Sequence, residues 1–174
     1  MTSMTANAVT IPATGEYRID PARSTITFAT RHLFGLAPVR GTFRLRGGHI
    51  RVTEPLASSA ARATIDAASF HTGTAARDTH VTSATYLDAA RHPDIVFAST
   101  ALTRDGDDWV LAGTLTVRGV TRPLPVRVSE LSTSDGELRL RAAARVDRHE
   151  FGITAGRGMT GRRLTLTLDV VAAR

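Results

Sequence analysis

A strict alternation of apolar and polar residues recurs along most of this chain and constrains its fold more than any other feature. The alternation is clearest in residues 39–46, where Val39, Phe43 and Leu45 fall on one side and three arginines fall on the other. Successive side chains of a β-strand point to opposite faces of the sheet, so this period of two indicates strands with one buried face and one solvated face.

Further runs of the same kind cover residues 24–32, 61–67, 111–117, 124–128, 138–146 and 164–170. Turn-forming residues separate them at Gly47 and Gly48 and in residues 105–107, 118–119, 134–136 and 156–161. Glycine pairs and Asp-Gly steps between alternating runs are typical of hairpins. About eight such strands predict an antiparallel barrel or sandwich, and a closed barrel would leave no exposed strand edge.

One segment interrupts the alternation. Residues 74–91 contain several helix-compatible residues and precede Pro93, so we expect one or two short helices there. Residues 1–15 are small and polar and are expected to form a flexible leader. The remainder, residues 16–174, has a length that suits a single domain.

Charge and composition exclude several classes of function. The chain has no cysteine, so disulfides and thiolate chemistry are absent. All 22 basic residues are arginines, and they are spread from Arg18 to Arg174 instead of forming the patch or tail that a nucleic-acid binder concentrates. We therefore expect an arginine-rich barrel exterior and no nucleic-acid partner.

The sequence contains no recognisable catalytic or metal-binding motif. Its six histidines do not have the spacing of a metal site, and we predict no metal, no cofactor and no enzyme activity. The chain has no run of about 20 apolar residues and no readable secretion signal. We therefore expect a cytoplasmic location.

The size of the inward-facing residues bears on what fills the barrel. An eight-stranded barrel can be filled by its own side chains or can hold one ligand. Several residues on the predicted inner faces are small, namely Gly41, Ala61, Ala63, Ala67, Gly113, Ala142 and Ala144. Since voids in a packed core are costly, these small residues favour an apolar cavity that a ligand occupies.

An ordered set of motifs carries a resemblance to a known family. The motifs lie at residues 17–20, 24–32, 39–43, 72–80, 86–88, 92–99, 111–123 and 146–153. Together they resemble the YceI-like family of polyisoprenoid-binding proteins from about Tyr17 to Val171. This resemblance implies an all-β fold: an extended eight-stranded antiparallel lipocalin-like barrel with the short helices inserted at about 74–91.

The resemblance also implies a function. The barrel would hold a polyisoprenoid, an isoprenoid quinone or a related amphiphilic lipid, for carriage, storage or sequestration. It suggests a homodimer, and transient membrane contact would accompany lipid transfer. The predicted apolar lining consists of Ile26, Phe28, Phe43, Ile65, Phe97, Leu115, Val117 and Phe151. Each of these residues has the alternative of belonging to an ordinary core.

A polar head group requires hydrogen-bond donors at the barrel mouth. His32 ends an inward apolar face, and Arg77, Asp78 and His80 lie together near the start of the predicted helical insertion. Arginine presents a planar fork of donors to oxyanions, so these four residues are candidates for head-group binding. The alternative is that Arg77 and Asp78 form an ion pair or a helix cap. We expect residues 147–149 to form a structural turn.

Two rival functions follow from the same residues. The first is an enzyme that acts on a buried apolar substrate through His32, Arg77, Asp78 and His80. The second is an arginine-rich exterior that binds nucleic acid or an anionic membrane.

Overall fold

The computed structural model describes residues 11–33 and 35–174. The first ten residues of the predicted leader lie outside this range. The strands are β1 (Gly15–Ile19), β2 (Thr25–His32), β3 (Ala37–Val52), β4 (Ala60–His71), β5 (Asp94–Asp105), β6 (Asp108–Val117), β7 (Val120–Ser134), β8 (Glu137–Asp147) and β9 (Arg163–Ala173). The helix α1 spans Ala75–Thr82, and 3₁₀ turns occur at Leu56–Ser58 and Arg148–Phe151.

Strands β2 to β9 form a closed antiparallel ring. Each strand from β4 to β9 pairs with its neighbours in sequence, β9 pairs with β2, and β3 joins β2 to β4 to complete the circle. The predicted eight-stranded barrel is therefore confirmed. β1 is an additional short strand that lies between the ends of β3 and β9, with Tyr17 opposite Ile50 and Ile19 opposite Ala172.

The connections divide the barrel into two ends. The β3–β4 connection and the turns at 106–107 and 135–136 lie, with β1, at what we call the closed end. The β2–β3 turn, the segment 72–93, the turn at 118–119 and the segment 148–162 lie at what we call the insertion end. Helix α1 confirms the predicted helical insertion, which therefore covers one end of the barrel.

The largest fully buried side chains lie toward the closed end. Tyr17, Ile26, Leu138 and Ala172 each have at most 2% of their surface exposed. They belong to one continuous apolar cluster that includes residues from all nine strands. Burial of this apolar cluster inside the ring of strands stabilises the fold.

The glycine pair in β3 has a different role from the one predicted. The prediction of a turn at Gly47 and Gly48 is wrong, because β3 continues through both residues. Its pairing with β4 shifts between Leu45 and Gly47, which marks a bulge. At Gly48 the backbone of Arg62 and Ala63 occupies the space that a side chain would need. Glycine here serves a bulge and a close strand approach, two roles that are typical of glycine within strands.

Two inward glycines also differ from expectation. The volume above Gly41 contains the ring of Phe28, and the volume above Gly113 contains the ring of Phe97. These glycines therefore allow aromatic rings to pack against the barrel wall instead of leaving space for a ligand. Among the described residues, no helix is long and apolar enough to cross a membrane.

Candidate functional site

A cavity of about 170 Å³ opens at the insertion end of the barrel. Its base is made by Phe28, Phe43 and Phe70, which come from the neighbouring strands β2, β3 and β4. The ring centroids are 5.6 Å apart for Phe28 and Phe43, 5.0 Å for Phe28 and Phe70, and 5.5 Å for Phe43 and Phe70. These spacings are typical of favourable aromatic pairs, so the three rings form a rigid apolar base.

Two segments cover the cavity. Val81 of α1 and the following residues Tyr86 and Leu87 contribute from one side, and Ile153 and Met159 contribute from the other. The Tyr86 hydroxyl and the Thr160 hydroxyl are 2.9 Å apart and hydrogen-bond the two segments together. The cover is therefore a seam between two segments, and this hydrogen bond crosses it.

Arg148 holds the second covering segment in place. It is only 6% exposed, and its guanidinium donates to the carbonyl oxygens of Gly161 (2.8 Å), Ile153 (2.8 Å) and Thr160 (3.2 Å). The same group lies 5.7 Å from the ring centre of Tyr86. Burial lowers the pKa of Arg148 from its usual value. One buried side chain thus fixes three backbone groups of the cavity wall.

The polar residues of the lining are all basic or neutral. His32, Arg77, His80 and Arg148 line the cavity, and its described lining contains no Asp or Glu. The His80 ring packs edge-on against Tyr86, with centroids 4.9 Å apart. The site therefore favours an apolar chain with a neutral or anionic head, because a cationic head would find no opposite charge.

Asp78 has a different position from the other three predicted head-group residues. Its carboxylate accepts hydrogen bonds from the backbone N–H of Thr72 (3.0 Å) and from the Thr72 hydroxyl (2.6 Å). The other carboxylate oxygen lies 3.4 Å from Nδ1 of His71. Asp78 does not line the cavity and instead ties α1 to the end of β4.

Comparison with known proteins agrees with this architecture. A family model described as the YceI-like domain matches residues 17–172. The chain belongs to the YceI-like family. Its relatives include Protein YceI of Escherichia coli O17:K52:H18, which is 30% identical over 89% of this chain and 85% of the relative. A UPF0312 protein of Pectobacterium atrosepticum is 31% identical over 99% of this chain and 93% of its own.

Solved structures show the same fold. Burkholderia cenocepacia BcnA has a TM-score of 0.77 and 21% identity, covering 89% of this chain and 99% of that one. A polyisoprenoid binding domain from Saccharophagus degradans has a TM-score of 0.70 and 15% identity, with 90% and 97% coverage. The YceI-like barrel is thus preserved where few residues are identical.

The cavity brings together only part of the predicted apolar lining. Phe28 and Phe43 contribute to its base. The other six predicted residues, Ile26, Ile65, Phe97, Leu115, Val117 and Phe151, lie in or against the core cluster and do not line this cavity. A ligand would reach them only by entering deeper into the YceI-like barrel.

Sequence reasoning did not identify Phe70 or Arg148 as lining residues. Ala67 and Phe70 are both buried although they are three residues apart, because the β3–β4 register shifts between the pairs that flank this stretch. A bulge changes which face of the sheet a residue occupies. The period of two therefore predicts the wrong face for the residues that follow the bulge. The expected turn at 147–149 is confirmed as the start of a 3₁₀ turn, and its arginine points inward.

The neighbouring His149 has an unusual environment at the insertion end. Its Nε2 is buried and has no hydrogen-bond partner among the described residues. Burial, followed by the charges of Arg148 and Arg162, lowers the pKa of His149 below its ordinary value of 6.5. The folded protein therefore favours the neutral ring more strongly than the unfolded chain does.

We expect the free energy of unfolding to fall as the pH drops from 8 through about 6.5, because the unfolded chain takes up the proton first. The loss should level off once the pH is below the lowered pKa of the folded state. Urea unfolding of wild type and His149→Asn across this range measures the effect. The variant should have the flatter profile, and equal slopes would mean that His149 does not carry the dependence.

Proposed function

We propose that this YceI-like barrel binds the hydrocarbon chain of a polyisoprenoid, an isoprenoid quinone or a related amphiphilic lipid, for carriage, storage or sequestration. The observation that carries the proposal is the cavity with its base of three phenylalanine rings and its basic rim without carboxylates. The likeness in fold to a polyisoprenoid binding domain supports the same class of ligand.

The size of the cavity sets how much of a chain it holds in this conformation. An engineered apolar cavity of about 150 Å³ binds benzene. A cavity of about 170 Å³ thus takes little more than one five-carbon isoprene unit. Burying such a unit contributes roughly 4 kcal/mol before the costs of association.

A longer chain therefore needs additional space, and we place it along the seam between Leu87 and Met159. These two residues line the cavity from opposite covering segments. The hydrogen bond between Tyr86 and Thr160 is the direct polar link across the seam, and it would have to open as the chain enters. In this proposal the base recognises the end of the chain, and the seam accommodates its length.

The head group is assigned to the rim. We propose that His32, Arg77 and His80 donate hydrogen bonds to a hydroxyl, a carbonyl or an oxyanion at the cavity mouth. Asp78 has a structural role, since its carboxylate accepts hydrogen bonds from Thr72 and ties α1 to the end of β4. This role of Asp78 also favours binding over catalysis, because the one carboxylate among the four candidate residues does not line the cavity. The cytoplasmic location, the homodimer and the membrane contact are further parts of the proposal.

Filling the cavity with a larger side chain tests the proposal directly. Val39 lines the cavity from β3, and we expect Val39→Trp to occupy much of its volume. The affinity of the delipidated protein for farnesol should then fall by at least about tenfold, since roughly 1.4 kcal/mol of lost burial suffices for that change. Isothermal titration calorimetry measures it.

Thr114→Trp is the matched control, because Thr114 is exposed on β6 and does not line the cavity. The control should bind farnesol as wild type does. Unchanged affinity in a folded Val39→Trp variant would remove this cavity as the binding site.

A further inference from the structure

Exposed apolar residues gather at one place on this protein. Among the described residues, four large apolar side chains are exposed, and three of them, Leu33, Leu36 and Met159, lie at the insertion end. They are 39%, 83% and 53% exposed. The backbone N–H of Leu33 donates to the carbonyl of Met159 (3.1 Å), and that of Leu36 donates to the carbonyl of Leu33 (3.1 Å). We call these three residues the apolar rim.

Five exposed arginines line two grooves beside the apolar rim. Two surface grooves meet at Gly158, next to Met159. The arginines of these grooves that are exposed to solvent are Arg31, Arg40, Arg157, Arg162 and Arg163. We call them the arginine collar. The collar also contacts the turn that carries Leu36. The guanidinium of Arg31 donates to the carbonyl of Gly35 (3.4 Å), the residue before Leu36.

The positive charge of the collar is weakly neutralised. Residues 21–53 and 151–168, which supply the rim and the whole collar, contain no Asp or Glu. Within the collar, Arg162 pairs with Asp147 (3.1 Å). At the closed end, in contrast, Arg127 pairs with two aspartates that flank the turn at 106–107. The insertion end therefore combines protruding apolar side chains with an excess of positive charge.

We propose that the insertion end docks on the surface of an anionic lipid bilayer. Apolar side chains that enter the headgroup region, flanked by arginines that contact lipid phosphates, are the combination that binds proteins to such surfaces. Nucleic acid would pair its phosphates with the arginines but would leave Leu36 exposed to water. The apolar rim therefore favours a bilayer over nucleic acid. The inference deepens the membrane contact of the proposed function by assigning it to this end of the barrel. Docking here would turn the cavity mouth toward the lipid, because Met159 belongs to both the apolar rim and the cavity lining.

The first test is sedimentation with vesicles. The protein should bind vesicles that contain phosphatidylglycerol and not vesicles of phosphatidylcholine alone, and high salt should weaken this binding because it screens surface charge. The double variant Arg157→Glu/Arg163→Glu should bind at least about tenfold more weakly. Arg18→Glu/Arg104→Glu makes the same change in charge at exposed positions of the closed end, and it should bind more strongly than the collar variant.

The second test locates the contact. The chain has no cysteine, so Leu36→Cys carries a single environment-sensitive fluorophore such as NBD. Its emission should shift to the blue on anionic vesicles. Ile11→Cys is the matched control, since Ile11 is 77% exposed and precedes β1 at the closed end, and its label should not shift.

Several results would overturn the proposal: no binding to anionic vesicles, equal loss in the two double variants, or a shift at both labels. It would also fail if the collar variant lost affinity for double-stranded DNA while its vesicle binding stayed intact. Farnesol binding is measured in parallel on the same double variants, whose substituted residues do not line the cavity. A protein that binds vesicles but not farnesol would contradict the proposed ligand binding and leave the docking proposal intact.

Discussion

Arg148→Met is expected to lower the free energy of unfolding by about 3 kcal/mol or more, since buried acceptors that lose their donors cost about 1–3 kcal/mol each. Methionine keeps most of the side-chain volume but removes every donor, so the carbonyls of Gly161, Ile153 and Thr160 lose this partner. Urea unfolding followed by far-UV circular dichroism measures the difference. Arg148→Lys should fall between the two proteins, because an ammonium group does not have the planar fork that reaches three acceptors.

The same substitution should affect the ligand more than the barrel. Arg148 fixes the segment that supplies Ile153 and Met159 to the cavity wall. At a temperature where Arg148→Met is still folded, we expect weaker farnesol binding as the covering segment loosens. Full stability together with full affinity would mean that Arg148 does not organise the site.

Gly41→Ala is the second change with a large expected effect. A Cβ at residue 41 would overlap the ring of Phe28 and the backbone carbonyl of His71. Phe28 cannot easily move aside, since it packs against Phe43 and Phe70. We expect a loss of about 2–4 kcal/mol in urea unfolding, at or above the usual range for overpacked cores because backbone is also involved.

Gly47→Ala provides the control in the same strand. Gly47 has open space where the Cβ would lie, and its backbone φ is not in the left-handed region. This variant should change stability by no more than about 0.5 kcal/mol. If both variants were equally stable, the close packing of Phe28 over Gly41 would not describe the protein in solution.

Much of the barrel could be predicted from the sequence, because alternation is a local signal. Residues 39–46 have one apolar face and one arginine face, and β3 buries Val39 and Leu45. The hairpin at 134–137 is also predictable, because its Asp-Gly step is typical of a two-residue turn. Asp135 and Gly136 both adopt the positive φ that such a turn between twisted strands requires. Such features depend on neighbours in sequence and need no knowledge of the fold.

The features that were missed depend on contacts between distant residues. Gly47 and Gly48 have the composition of a turn, but the bulge in β3 and the approach of β4 at Gly48 decide their role. Phe70 reaches the cavity base after a register shift that no local pattern reveals. Arg148 is a charged residue beside a turn, and its burial follows from three carbonyls in a segment 5 to 13 residues away.

The location of the cavity also depends on contacts between residues that are distant in sequence. Leu115 and Val117, which the alternation predicts as ligand lining, pack into the core. The rings of Phe28 and Phe97 fill the space that small residues at 41 and 113 predict to be empty. Residue size alone does not say whether a neighbouring ring fills a gap. The cavity instead lies where strands β2 to β4 meet the insertion, and that meeting is a property of the closed ring.

The most direct measurement is a crystal structure of the delipidated protein with a saturated alcohol that carries bromine on its terminal carbon. The anomalous signal of bromine identifies the end of the chain without relying on the shape of the density. Our account predicts a bromine peak against the rings of Phe28, Phe43 and Phe70, with the chain leaving between Leu87 and Met159. A bromine peak outside the barrel, or a cavity that contains only water under saturating alcohol, would contradict it.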